Sequence, residues 1–292
     1  MKKIAILLLG ILLTIQIQSQ EEETDKRPAR NPFNSLVLND TYSTQNLSKN
    51  SLQFDLEHRF GTINNGYKDV FGLYAMANMR MGLAYGITDK LSVWSGLTKT
   101  FMIADFGFQY KILEQTRSKF MPVTLTYTGI ANIENQNEEY YQKFIQQLTY
   151  FNQISISRKF NRILTLQLSG NYAHYNLIDS AFYKPMKHDN FGFTFSGKIR
   201  LTPGTLLLFE YGSNITALSN RPTPLKGQDW YGKPNLGIGV EFATAGHSFQ
   251  IFLSNYQSIN PARNMVYNNN SILDGAFVIG FNLIRTWDFN KD

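Results

Sequence analysis

The chain has 292 residues, with 28 basic and 22 acidic side chains for a net charge of +6, and it has no cysteine. The lack of thiols excludes a disulfide scaffold, a thiolate zinc site, a cysteine nucleophile and a lipid anchor on an N-terminal cysteine. The basic residues are scattered, with no Lys/Arg block, so the charge does not mark a nucleic-acid partner.

The chain opens Met1-Lys2-Lys3, runs apolar from Ile4 to Ile15, then turns polar. A short positive stretch before an apolar run is the form of a secretory signal peptide. The run is shorter than the ~20 residues a spanning helix needs. We expect a signal peptide over residues 1–19, cleaved near Ser19, whose loss lowers the net charge to +4. Residues 20–50 form a polar lead segment. Within it, Arg27-Pro28-Ala29-Arg30-Asn31-Pro32 reads as an extended linker. Phe33 to Asn39 reads as a short strand, tucked inside a barrel or at its periplasmic mouth.

From Ser51 onward the dominant signal is alternation with period two. Leu52, Phe54, Leu56 and Phe60 alternate with Gln53, Asp55, Glu57 and Arg59; Met79, Met81, Leu83 and Tyr85 alternate with Asn78, Arg80, Gly82 and Gly86. Segments of the same kind follow around Val93, Phe108, Leu125, Ile154, Leu166, Phe193, Phe209, Ile238, Ile251 and Phe281. In the segment at Phe209, Leu206 and Leu208 interrupt the polar phase. This makes about twelve segments of roughly ten residues, the length at which a tilted strand crosses a bilayer. Aromatic residues make up 14% of the chain, yet no long apolar stretch follows the leader. Only a closed barrel satisfies the backbone in lipid under those conditions. The expected fold is therefore all-β, a closed antiparallel up-and-down transmembrane barrel over residues 51–289.

The gaps support this. Outer-membrane barrels have short periplasmic turns and long outer loops. Every second connection is short: Thr88-Asp89-Lys90, 114–121, Asn161-Arg162, Thr202-Pro203-Gly204 and Thr244-Ala245-Gly246. The others are long, at 61–76, 133–148, 176–188, 215–234 and 257–273, except for a tight link near Met102. The last strand, with Phe277, Ile279, Phe281, Leu283, Trp287 and Phe289, looks like the signal read by barrel-assembly machinery, although Asn290-Lys291-Asp292 follow it. The expected surroundings are outer-membrane lipid and, during biogenesis, that machinery.

The stretches His58-Arg59-Phe60-Gly61, Phe71-Gly72-Leu73 and Asn78 to Val93, with Tyr85-Gly86-Ile87-Thr88-Asp89-Lys90-Leu91-Ser92-Val93, carry a family likeness. The sequence resembles an uncharacterised Bacteroidetes family of outer-membrane-type β-barrel proteins, a domain of unknown function, over residues 33–289. Trp94-Ser95 departs from the Gly-rich continuation of that family. The resemblance implies fold and location and brings no activity.

Ten charges fall on the inward phase: Asp55, Glu57, Arg59, Arg80, Asp105, Lys111, Lys198, Arg200, Glu210 and Glu241. They either line a narrow solute path or pair and close it. A barrel of this size is commonly filled by side chains. Tyr140, Tyr141, Trp230 and Tyr231 are candidate loop contacts for a partner or glycan, beside the blander reading of an interfacial girdle. Glu138 to Leu148 reads as a short amphipathic helix, and Asp179-Ser180-Ala181 as a weak glycosylation acceptor. His58 lies on the apolar phase, where an interfacial role outweighs a catalytic one. His247-Ser248 and His174 with Ser169 differ by odd offsets and face apart, so no Ser–His pair forms. No His pair has metal spacing, and no phosphate-loop, dinucleotide, zinc-protease or EF-hand motif occurs. We expect no enzyme activity, no cofactor and no metal.

Three readings stay open: a non-enzymatic outer-membrane barrel serving as a narrow channel or transport-type protein for small solutes, an interaction or structural barrel acting through its outer loops, and a soluble periplasmic β-protein holding an apolar ligand.

Overall fold

A computed structural model describes residues 25–29, 32–135, 141–178, 186–219 and 232–290. The expected signal peptide, the Asp179-Ser180-Ala181 sequon and the candidate contacts Tyr140, Trp230 and Tyr231 lie outside the described residues.

Twelve strands follow one another: β1 (Ser51–Thr62), β2 (Asn78–Thr88), β3 (Leu91–Thr98), β4 (Ile103–Leu113), β5 (Thr124–Glu134), β6 (Leu148–Lys159), β7 (Leu164–Tyr175), β8 (Asp189–Arg200), β9 (Thr205–Asn214), β10 (Asn235–Ala243), β11 (His247–Ser254) and β12 (Val278–Asp288). Each pairs antiparallel with its chain neighbours, and β12 pairs with β1, so the sheet closes into a barrel. The seam runs from Ser51 opposite Asp288 to Arg59 opposite Gly280. Closure leaves no unpaired edge, the condition for strands in hydrocarbon.

Burial alternates along the strands. In β1, Ser51, Gln53, Asp55, Glu57 and Arg59 are buried and their neighbours are not. On the outside, Leu83, Leu97, Phe106, Ile154, Leu168, Phe191 and Ile238 are exposed large apolar residues. Among described residues no second sheet covers this band, because all twelve strands described belong to the one closed sheet. The apolar residues therefore face the barrel's surroundings and the polar ones face its interior, the reverse of a soluble core.

Short connections (89–90, 114–123, 160–163, 201–204 and 244–246) gather at one end, with both ends of the sheet's chain. The long connections gather at the other end, and the tight link 99–102 between β3 and β4 is the exception there, as expected. Among described residues, the only α-helices are α1 (Ile215–Ser219) and α2 (Pro261–Tyr267), both in long-end loops. The expected helix over Glu138–Leu148 is, where described, a single 3-10 turn, Phe144–Gln147, running into β6 at Leu148.

The lead segment corrects a second expectation in part. Phe33–Asn39 lies inside the barrel, one of the two places expected, but it forms bends and one bridge rather than a strand. Residues 33–48 form a finger that enters the lumen from the short-turn end and returns to β1. A lone bridge joins Val37 to Tyr42, and Leu38 N donates to Thr41 O at 2.9 Å around the tip Asn39-Asp40. Asn and Asp suit such a turn, because their side chains bond nearby backbone and tolerate unusual conformations. Before the finger, Pro28 bridges Thr116, and Ala29 N donates to Gln115 O at 2.7 Å, laying the chain along the β4–β5 turn.

Candidate functional site

The lumen is the site, and it is occupied by the chain itself. A chain segment inside a barrel cannot join the wall's backbone ladder, yet its buried N–H and C=O groups need partners. Wall side chains supply them. Four inward glutamines, each nearly fully buried, bond the finger's backbone. Gln109 Nε2 donates to Gln45 O at 2.9 Å, Gln153 Nε2 to Tyr42 O at 2.7 Å, Gln167 Nε2 to the same carbonyl at 2.8 Å, and Gln250 Nε2 to Val37 O at 3.1 Å. Thr44 N donates to Gln167 Oε1 at 3.0 Å, and Leu47 N to Ser92 Oγ at 3.0 Å. At the tip, Glu210 Oε2 accepts from Thr41 N at 3.0 Å and from Asp40 N at 3.3 Å.

Apolar contacts hold the finger at two further places. Tyr42 stacks on inward Trp94 with ring centroids 4.8 Å apart. Phe33 and Leu38 pack on Leu206 and Leu208, the two leucines that interrupt the polar phase of β9. That interruption was the sequence signal for a docked segment. So was Trp94, a large aromatic on the inward, otherwise polar phase of β3.

Nine of the ten inward charges are buried in the lumen: Asp55, Glu57, Arg59, Arg80, Asp105, Lys111, Lys198, Glu210 and Glu241. Arg200, at the short-turn end of β8, is half-buried. The charges do not form one ring. Arg80 holds three carboxylates: Asp105 in a two-pronged contact at 2.7 and 2.8 Å, Asp55 at 2.6 Å and Glu57 at 3.0 Å. Planar guanidinium geometry suits such a fork. Gly82 and Gly96 leave the space, since a Cβ on either would overlap the Arg80 guanidinium. Arg59, fully buried, donates to Asn39 O at 2.7 Å and to Asn282 Oδ1 at 2.9 Å, and lies over the Phe252 ring at 4.5 Å. It thus latches the finger's tip to the wall. Lys111 pairs with Glu114 of the β4–β5 turn at 2.5 Å. Glu241 accepts from Asn34 of the finger at 3.0 Å.

The long-loop mouth is closed by α2. Asn260 caps it, accepting from Arg263 N at 3.1 Å, and Pro261 occupies the first turn, where no amide donor is needed. Ala262, Met265 and Val266 are buried in a cluster with Leu36, Tyr42, Trp94, Phe151 and Tyr175. Arg263 sits 3.7 Å over the Phe101 ring and 5.0 Å over Tyr267, and pairs with Glu134 of β5 at 2.8 Å. Tyr141, a candidate loop contact, belongs to this corner: burial and the nearby Glu134 carboxylate push its hydroxyl above the ordinary tyrosine range.

Voids remain beside the finger and α2. One of about 600 Å³ opens at the short-turn end between the finger and β11–β12, and includes Ser51, Gln53 and Ser248. One of about 220 Å³ lies at the long-loop end beside Arg263 and Tyr267. Between them, a gap of about 20 Å³ separates Asp40 and Thr41 at the tip from Pro261 and Met265 of α2.

Among described residues, the histidines meet aromatic rings, a carboxylate, an arginine and a backbone carbonyl. His58 stacks on Phe281 with centroids 5.0 Å apart, on the outer face. His174 Nδ1 lies 2.8 Å from Asp189 Oδ1, and Tyr172 donates to the same oxygen at 2.6 Å, at the long-loop rim. His247 is exposed while Ser248 points into the lumen. Among described residues, no group of three or more His, Asp or Glu side chains is arranged to hold a metal.

Closed sheet, apolar exterior and polar interior define a membrane-spanning antiparallel β-barrel of the outer-membrane type. The chain belongs to a family described as membrane bound beta barrel domain (DUF5777), whose model matches residues 33–287. Membership sets aside the soluble periplasmic reading. No curated protein matches the chain. Among solved structures, an outer membrane channel from Pseudomonas putida F1 is similar with a TM-score of 0.51 and 13% identity, covering 85% of this chain and 99% of that one. The NanC porin matches with a TM-score of 0.48 and 8% identity over 80% of this chain and 98% of that one. The KdgM porin in complex with disordered oligogalacturonate matches at 0.46 and 7% identity over 82% and 99%. At these identities the likeness is one of fold.

Proposed function

We propose that the protein is an outer-membrane channel or transport-type barrel for small solutes, held closed by its own N-terminal finger. The observation that carries this reading is the way the finger is held. Its backbone meets the wall mostly through amide and hydroxyl side chains, whose hydrogen bonds water can replace at modest net cost, on the order of 1 kcal/mol each. A filler that only stabilised the barrel would be served as well by apolar side chains from the wall. One void opens beside the finger at the short-turn end and another beside α2 at the long-loop end, so the finger and α2 are the two elements that would have to move to join them. Export through a signal peptide cleaved near Ser19, in an envelope of the Bacteroidetes kind, completes the proposal.

The test is planar-bilayer conductance of the full chain against a variant lacking residues 32–48. Fast migration on unheated gels, converted to slow migration by boiling, confirms that each variant holds a closed barrel. We expect the full chain to be nearly silent and the deletion variant to conduct steadily. A folded, fingerless barrel that stays silent overturns the channel reading.

One observation favours a second reading, an interaction protein. The loop 63–77 exposes Tyr67, Phe71, Tyr74 and Met76, with Tyr74 83% accessible. Asp69 orders this loop: hydrogen bonds from the Asn65 side chain and the Gly72 amide hold its carboxyl below the usual range. If conductance is nil and replacing these four residues with serine removes binding to a surface glycan or protein, the interaction reading stands.

A further inference from the structure

The lumen face of β8 carries polar groups that the closed barrel does not use. Ser196, Lys198 and Arg200 occupy successive inward positions, and no described residue gives Ser196 Oγ, Lys198 Nζ or Arg200 Nε a hydrogen-bond partner. Lys198 is only 3% exposed. Glu241, the carboxylate that acts electrostatically on Lys198, is bonded instead to Asn34 and Gln250. A buried lysine amine without a hydrogen-bond partner is unusual, since burying an unsatisfied polar or charged group is costly. Its cover is Phe33, whose ring lies 5.6 Å from Nζ.

The neighbouring strand is apolar at the matching positions. Lys198 stands opposite Leu208, and Arg200 opposite Leu206. A row of donors beside an aliphatic wall is the composition of a pocket that takes an apolar body and fixes one charged end. Phe33 fills the apolar half and supplies nothing to the donors except the face of its ring.

We propose that this face of β8, with Leu206 and Leu208, is a binding site for a small carboxylate carrying an apolar group, and that Phe33 occupies its apolar half in the closed state. The site rests on the reading of the barrel as a channel opened by movement of its finger. The carboxylate meets Lys198 and Arg200, and the apolar body takes the place of the Phe33 ring. Ligand and finger therefore exclude each other.

Phenylacetate is the probe, because its ring matches the one it replaces. Binding is measured by equilibrium dialysis on the full chain in detergent, in wild type, Phe33→Ala, and Phe33→Ala with Lys198→Gln or Lys198→Arg, each checked by heat-modifiable migration. We expect phenylacetate to bind Phe33→Ala more tightly than wild type. Lys198→Gln should weaken that binding by about tenfold or more, the scale of a lost charged hydrogen bond, and Lys198→Arg should restore most of it. Benzyl alcohol should bind alike with and without Lys198. Inorganic phosphate should bind at least about tenfold more weakly than phenylacetate, consistent with a ring worth more than one buried methylene. Binding indifferent to Lys198→Gln overturns the site. So does benzyl alcohol matching phenylacetate, or phosphate matching it. A fingerless barrel that stays silent while Phe33→Ala binds phenylacetate sinks the channel reading and keeps the site; a fingerless barrel that conducts while Phe33→Ala ignores phenylacetate does the opposite.

Discussion

At the scale of single residues, Arg80 decides the most. Its guanidinium hydrogen-bonds three carboxylates in a nearly solvent-free region, with Asp55, Glu57 and Asp105 all within 3.0 Å. Removing it strands like charges in the interior, which costs about 3–5 kcal/mol for a broken buried pair. Urea unfolding in lipid should show Arg80→Met destabilised by that amount, and the added changes Asp55→Asn, Glu57→Gln and Asp105→Asn should recover much of it. An unchanged midpoint for Arg80→Met would refute a structural role for the cluster. Gly96 tests the same geometry from the other side. A Cβ there overlaps Arg80, whereas one at Gly170 meets nothing within 4 Å. Gly96→Ala should cost about 1–3 kcal/mol by overpacking, with Gly170→Ala near neutral. Equal effects in the same unfolding assay would show that the Arg80 fork yields freely.

At the scale of elements, the strands and the two fillers obey different rules. A strand's outward residues answer to hydrocarbon. Ile154, exposed in the middle of β6, should tolerate other apolar residues, while Ile154→Arg should lose about 2–4 kcal/mol in lipid if that position is near the midplane. A loss near zero would place it at the interface instead. α2 has seven residues, too few for a helix to persist alone in water, so its order comes from docking. Arg263 does much of that, between Phe101, Tyr267 and Glu134. Arg263→Ala should speed amide exchange in residues 261–267 while the strands keep their protection. Unchanged exchange there would assign the docking to Met265 and Val266 alone. The finger is held by amides from β4, β6, β7 and β11 at once, so it reads depth around the whole circumference rather than along one strand.

At the scale of the whole molecule, closure is what makes such fillers possible. A ring of twelve strands is wide enough to admit a hairpin-like finger and too narrow to leave a broad aqueous bore around it. Several residues that carried the family resemblance meet this finger or the chain leading from it. Arg59 binds Asn39 O, Ser92 binds Leu47 N, Asp89 binds Lys49 N at 2.9 Å, and Gly86 leaves no room for a Cβ beside the Ser48 carbonyl. The barrel and its plug are therefore built from the same residues.

The strand count, the outward face of each strand and the alternation of short turns with long loops were all legible in the sequence. Each depends on local, period-two patterning or on gap length, both of which survive projection onto one dimension. The inward charges were legible as a set for the same reason. Their partners were not, because which residues share a depth depends on strand stagger and closure, and a two-residue period carries neither. So the pairing of Arg80 with β1 and β4, the isolation of Lys198 under Phe33, and the latch from Arg59 to the finger emerged only in three dimensions. The finger itself has no repeating pattern to read. Its order comes from a polar cavity that exists only once the first strand has met the last.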